Sequence, residues 1–231
     1  MGMPMMRAVL SSVVVAAGVA VGVADAQAPV TIAVLPFEDR GSYGQDKEVF
    51  RALELGVPAL LSAELGKHPG VRLADRARVT AAMKAENLGP NARIDAATAA
   101  RVGTQAGARY AVTGNFADFY GKFRSDARVV EVGTGQILKV VSNNDPALQD
   151  RANLARIVQD MAGKVLSAAG LTPRMAASSA PVPPTEAVTQ YSLGLLYENE
   201  GDKAKAGEHY QRALTAFPGY AEAREGMQRV R

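Results

Sequence analysis

Residues 108–141, ARYAVTGNFADFYGKFRSDARVVEVGTGQILKVV, constrain the fold more than any other stretch. They read as three consecutive β-strands. Tyr110, Val112, Phe116, Phe123, Val129, Val130, Ile137, Val140 and Val141 are residue types that suit a pleated, half-buried surface. Gly121 separates the first strand from the second, and Gly133-Thr134-Gly135 the second from the third. Glycine there supplies the positive φ that tight hairpins need. Arg124, Asp126 and Arg128 alternate with Phe123, Ser125, Ala127 and Val129, so charge falls on one face and small or apolar groups on the other. The pattern predicts an antiparallel sheet with one wet face and one covered face. Helices elsewhere in the chain must supply the cover.

Those helices are legible on both sides. Val30 to Phe37 is a β-branched run, apolar on both faces, and reads as a central strand. Lys47 to Gly66 repeats apolar residues at three and four and is an amphipathic helix. Pro58 within it predicts a break or a kink, because proline lacks the N–H. Val71-Arg72-Leu73 is a short strand. Asp75 caps a helix over Arg76 to Leu88, and Asp95 caps an alanine-rich helix over Ala96 to Ala106. After a polar turn, Leu148 to Ala169 is helical again. This order predicts an α/β (α+β) class: a mixed β-sheet packed with helices.

Composition bounds the chemistry. Of 231 residues, 48% are hydrophobic and 21% charged, a globular composition. Basic residues number 26 and acidic ones 23, interspersed along the chain, so no nucleic-acid footprint stands out. With no cysteine there is no disulfide, thiol nucleophile or cysteine-based metal site. His68 and His209 lie far apart in the chain, and each reads as a lone surface histidine. No metal and no cofactor is expected.

The N-terminus reads as an export signal: Arg7, then an apolar run from Ala8 to Val23, then Ala24-Asp25-Ala26 as a small-x-small cleavage site. The expected divisions are a signal peptide over 1–26, an α/β domain over 27–170, a Pro/Ala/Ser-rich linker over 171–185 and helices over 186–231. The expected location of the mature protein is the periplasm. It is not expected to be a lipoprotein or to carry a membrane span after cleavage, although peripheral outer-membrane association stays open.

Two resemblances follow. IAVLPFED, VRLADR, GARYAVTGNF and RVVEVGTGQIL, in this order between Thr31 and Ala168, resemble the CsgG family and the related TolB N-terminal-like fold. The resemblance implies that fold, an envelope location and an association with curli secretion. The family's lipid-bearing cysteine is missing here, and the strands are joined by short turns. Glu186 to Pro218 resembles a single tetratricopeptide repeat through Leu193-Gly194, Tyr197, Gly201-Asp202, Ala206, Tyr210, Ala213-Leu214 and Pro218, with Tyr220 to Val230 as a capping helix. Tyr191, Leu195, Glu198 and Asn199 fall where such repeats face a ligand groove, so they are the expected partner-binding residues. One repeat cannot bury its apolar face alone. It should dock on its own α/β domain, on a second copy or on an envelope protein.

No catalytic motif accompanies this scaffold. Gly133-Thr134-Gly135 lies between strands, whereas phosphate loops lead into helices. The expected function is a non-enzymatic, exported envelope module for assembly or secretion. The alternatives are a periplasmic small-ligand sensor or enzyme at the strand ends near Glu38, Asp39 and Asp75, or an oligomeric outer-membrane secretion pore.

Overall fold

The computed structural model describes residues 28–89, 92–144, 146, 149–173 and 181–231. The expected signal segment and the middle of the expected linker lie outside the described residues.

Five strands form one mixed sheet in the order β2-β1-β3-β4-β5. β1 (Val30–Asp39) runs parallel to β2 (Val71–Leu73) and to β3 (Tyr110–Phe119). β4 (Lys122–Glu131) and β5 (Gln136–Ser142) continue the sheet antiparallel. Hydrophobic patterning placed all five. The two-residue turn Tyr120-Gly121 joins β3 to β4, with φ of 52° and 86°, the paired positive values of a type I′ hairpin.

Four helices sandwich the sheet. α1 (Lys47–Gly66) and α4 (Leu154–Ala168) cover one face, where Phe50, Leu53, Leu61, Ile157 and Met161 meet Ile32, Val112, Phe116, Phe123 and Val129. α2 (Arg76–Ala85) and α3 (Ala96–Gln105) cover part of the other, with Val79, Ala82, Ala99 and Val102 over Ala33, Leu35, Ala111 and Val130. Asp75 and Asp95 cap these two helices as expected, accepting the N–H of Arg78 at 3.0 Å and of Thr98 at 2.7 Å.

Three expectations change. The sheet has no single wet face: β1 and β3 are covered on both sides, and only a strip carrying Arg124, Asp126 and Arg128 stays open. α1 runs through Pro58 as one helix. Proline removes one N–H from the ladder, but Val57, Leu60 and Leu61 on the same turns are buried in the core, and that burial holds the helix together. α4 starts at Leu154, later than expected, after a short 3-10 turn at Arg151–Asn153 that Asp150 initiates by accepting the N–H of Ala152 at 2.8 Å; the expected start at Leu148 lies outside the described residues.

The last three helices, α5 (Thr185–Glu200), α6 (Lys203–Ala216) and α7 (Ala221–Val230), form a further layer outside α1. α5 and α6 fold back on each other at Gly201-Asp202, with Gly201 at φ 85°. Val188 of α5 reaches the main core, and Leu55 and Ala59 of α1 pack against the tyrosine-rich core of the three helices. The repeat-like pair therefore docks on its own α/β layer, one of the three modes expected of it.

Candidate partner-binding surface

Three places can be tested for chemistry: the strand ends, the outer helices and the open strip of sheet.

At the strand ends the carboxylates are engaged within the fold. Asp39 Oδ1 accepts from the Ser42 N–H at 2.9 Å and from its hydroxyl at 2.6 Å. Ser42 Oγ in turn accepts the Asp118 N–H at 2.9 Å. Asp118, fully buried, accepts from the Gly121 N–H at 2.7 Å and faces Arg151 Nε at 3.3 Å. Glu38 pairs with Arg40 at 3.4 Å and with Arg93 at 3.7 Å. Asp75 is spent on capping α2. Glu54, read in the sequence only as a helical position, is buried here and accepts the Asp39 N–H at 3.1 Å. Burial pushes its carboxyl up, helped by the nearby Asp39 and Glu38 charges and opposed by that hydrogen bond. Its place one turn after Phe50 on the core face was the available signal. The network stitches the loop after β1 to the β3–β4 hairpin. Glu38, Asp39 and Asp75 each hold a separate local contact, and among the described residues no hydrogen bond or ion pair joins the three.

The four α5 residues expected to bind a partner do not share one exposed surface. Tyr191 is buried, its ring 5.0 Å from Tyr220 and 5.9 Å from Tyr210. Burial pushes its hydroxyl up to about 12. Leu195 is buried in the same cluster, under Ala223 and Val230 of α7. Glu198 accepts two bonds from Arg229, at 2.8 and 3.0 Å, and one from the Tyr210 hydroxyl. Asn199 alone is exposed. The physical reason is α7: with Tyr220 it lies on the face that the repeat pattern assigns to a ligand. His209 stacks on Tyr197 at 5.3 Å with its Nδ1 2.8 Å from Gln190 Oε1, and His68 Nε2 lies 3.1 Å from the Thr172 carbonyl. Among the described residues no group of three or more His, Asp or Glu is placed to hold a metal, and no helix is long and apolar enough to cross a membrane.

The open strip of sheet is different. On it Thr113 pairs with Arg128, Asn115 with Asp126 and Ala117 with Arg124 across β3 and β4. Val140 and Ser142 of β5 stand opposite Arg128 and Asp126. β5 is the sheet edge, and three of its branched side chains are in water: Ile137 45%, Leu138 43% and Val140 54% exposed. Ile137 and Val140 were expected to be half-buried strand positions. They are exposed because β5 is the last strand and α3 packs mainly on β3, reaching β5 only marginally. At the far end, Tyr43, Phe119 and Tyr120 are also exposed around the β3–β4 turn. Beside them lies a recess of about 290 Å³, lined by Phe119, Lys122, Arg124 and Asn143 among others.

No protein-family model matches the chain, and no curated protein matches it. Its fold is similar to that of three LpoB structures. The C-terminal domain of LpoB from Salmonella enterica is 15% identical, with a TM-score of 0.37 over 50% of this chain and 81% of that one. The corresponding Escherichia coli domain is 15% identical, with a TM-score of 0.39 over 53% and 86%. The NMR structure of E. coli LpoB is 16% identical, with a TM-score of 0.41 over 50% and 55%. The family expectation is corrected: no family model places the chain in the CsgG family, and the solved structures it is similar to are LpoB structures and not curli-secretion proteins. The same holds for tetratricopeptide-family membership, which no family model supports. The motifs that prompted both are what the element order itself demands. IAVLPF is a buried parallel strand, GTG is a hairpin, and Gly194 opposite Tyr210 is a tight helix contact.

Proposed function

We propose that this chain is a non-enzymatic, exported protein-interaction module of the cell envelope, working through the β5 edge and the open strip beside it. The observation that carries the reading is the exposure of Ile137, Leu138 and Val140 together on the edge strand of the sheet. An edge with a branched apolar row is a template for association. Export rests on the N-terminal pattern of Arg7, the apolar run and Ala24-Asp25-Ala26.

The test is complementation of a deletion strain. Ile137→Lys and Val140→Lys, both at exposed positions, are expected to abolish rescue without changing the amount of exported protein. Glu38→Gln with Asp39→Asn is expected to leave rescue intact. Full rescue by both β5 variants would remove the interaction reading, and loss with the carboxylate pair alone would return function to the strand ends. Mass spectrometry of the exported protein checks the cut after Ala26, and an intact N-terminus retained in the cytoplasm would remove the export half.

A further inference from the structure

We infer that β5 takes an extended segment of another polypeptide as a sixth strand, and that this segment alternates apolar with acidic side chains. The inference rests on the interaction-module reading and names the partner's chemistry.

The sheet has two edges, and they are unlike. β2 offers only Val71–Leu73, directly after Pro69-Gly70. A short, proline-flanked edge is poorly suited to pairing. β5 offers Gln136–Ser142, without proline, and Lys139 is its only charge. A register shift sits at its start, between the partners of Val129 and Val130, but Lys139 to Ser142 pair regularly with β4. In an antiparallel strand every second residue turns its N–H and C=O away from the neighbour it already has. The regular half of β5 therefore presents the N–H and C=O of Val140 to an incoming strand, while the Ser142 carbonyl already accepts from Lys164 Nζ at 2.8 Å.

Charge decides what that strand is. Arg128 lies on the open strip opposite Val140, and Lys139 lies on the edge itself. Neither side chain has a hydrogen-bond or ion-pair partner among the described residues, and the two lie on opposite faces, so Lys139 is the cation that an added strand meets beside it. A second copy of the chain answers this badly. β5 carries no acid, so pairing it with itself brings two Lys139 to one seam with no carboxylate between them. Like charges across strands are destabilising. The proline-rich stretch 171–185 is no better, since it holds Arg174 and no acid. The carboxylates must come from a different polypeptide, and β-strand addition combines main-chain pairing with such side-chain selection.

The experiment uses the exported mature protein and three fluorescent synthetic peptides: TVEVEVT, its lysine counterpart TVKVKVT, and the acidic peptide with a central proline. Anisotropy in 0.15 M salt is expected to show the acidic peptide binding at least ten-fold tighter than the other two. Amide hydrogen exchange at Lys139–Ser142 is expected to slow in its presence. Lys139→Glu, alone and with Arg128→Glu, is expected to reverse the preference toward the lysine peptide. Equal binding of the acidic and lysine peptides overturns the inference, as does undiminished binding of the proline peptide or an unchanged preference in the variants. A concentration-dependent dimer that Val140→Lys dissolves overturns it in favour of a second copy. If Val140→Lys abolishes rescue in cells while no peptide binds, the interaction module stands and the added strand falls.

Discussion

Gly56 of α1 and Ser192 of α5 are in direct contact. A Cβ built on Gly56 would lie on the Ser192 hydroxyl, 2.6 Å from its Cβ and 3.3 Å from its Cα. Ser192 is fully buried and its hydroxyl donates to the Val188 carbonyl at 2.7 Å. Gly→Ala inside a helix normally gains about 1 kcal/mol. Here overpacking of about 1–3 kcal/mol opposes it. Gly56→Ala is therefore expected to lower stability in denaturant titration. Adding Ser192→Gly should recover most of the loss, because it removes both clashing atoms. Ser192→Ala should recover less, because its Cβ stays. A stabilised single variant would show that α1 and α5 are not held this closely.

The same contact bears on the proline-rich stretch. Val188 lies in the main core, and Leu55 and Ala59 of α1 face the outer helices. Removing residues 181–231 uncovers this side of α1. The truncated chain is expected to melt earlier and to self-associate in sedimentation, although the composition of 171–185 predicts an independently folding α/β unit. An unchanged melting temperature would favour the independent unit.

Phe116 is fully buried between the sheet and its helices and stacks on Phe123 at 5.3 Å. Phe116→Ala should cost about 3–5 kcal/mol, as for other buried aromatics. Phe119, three residues on and half exposed, is the control: Phe119→Ala should change stability by less than about 0.5 kcal/mol, as at ordinary surface positions. A large loss at Phe119 with little at Phe116 would mean that the β3 faces are reversed.

Much of this was legible because local pattern and tertiary role agree. The alternation of Arg124, Asp126 and Arg128 with Phe123, Ser125 and Ala127 predicted which face of β4 is covered, and Phe123, Ser125 and Ala127 are buried. Asp75 and Asp95 announced their helices through capping chemistry. The candidate surface was not legible. Ile137 and Val140 have the residue types of a half-buried strand, and nothing local states that a strand is an edge or that α3 packs mainly two strands away. Tyr191 and Leu195 had the right spacing for a groove, but spacing on α5 is silent about where α7 lies. Pro58 carries a break signal that burial on neighbouring turns overrides.

The β3–β4 turn invites a stabilising change. Tyr120 is 83% exposed and adopts φ 52°. An L-residue with a bulky side chain pays roughly 1–2 kcal/mol in this region, and asparagine tolerates it better. Tyr120→Asn should raise the thermal midpoint by a few degrees, since about 1 kcal/mol shifts a domain of this size by a few degrees. A lower midpoint would mean that the ring's 6.3 Å contact with Tyr43 outweighs the turn strain.

Acid should loosen the outer helices first. Burial pushes the Glu198 carboxyl up, but hydrogen bonds from Arg229 and Tyr210 outweigh it and hold the group below its ordinary 4.5. A carboxyl held lower in the folded chain binds fewer protons there than in the unfolded chain. Its contribution is whole above the unfolded value and is lost as pH falls through the folded one. His209 works in the same direction at higher pH. Burial, aided by Arg212, pushes its imidazole below 6.5, so the folded chain prefers the neutral ring and loses stability as pH falls through that region. Stability measured from pH 8 downward should therefore decline in two steps, below about 6.5 and below about 4.5. His209→Gln should remove the first and Glu198→Gln shrink the second, which Asp95, held low by its hydrogen bonds from Thr98, shares. Arg229→Ala should shrink the acid step and cost about 1 kcal/mol at pH 7, the scale of a partly exposed ion pair. An acid profile unchanged in Glu198→Gln would mean that α7 is held by its apolar contacts at Ala223 and Val230, and not by this pair.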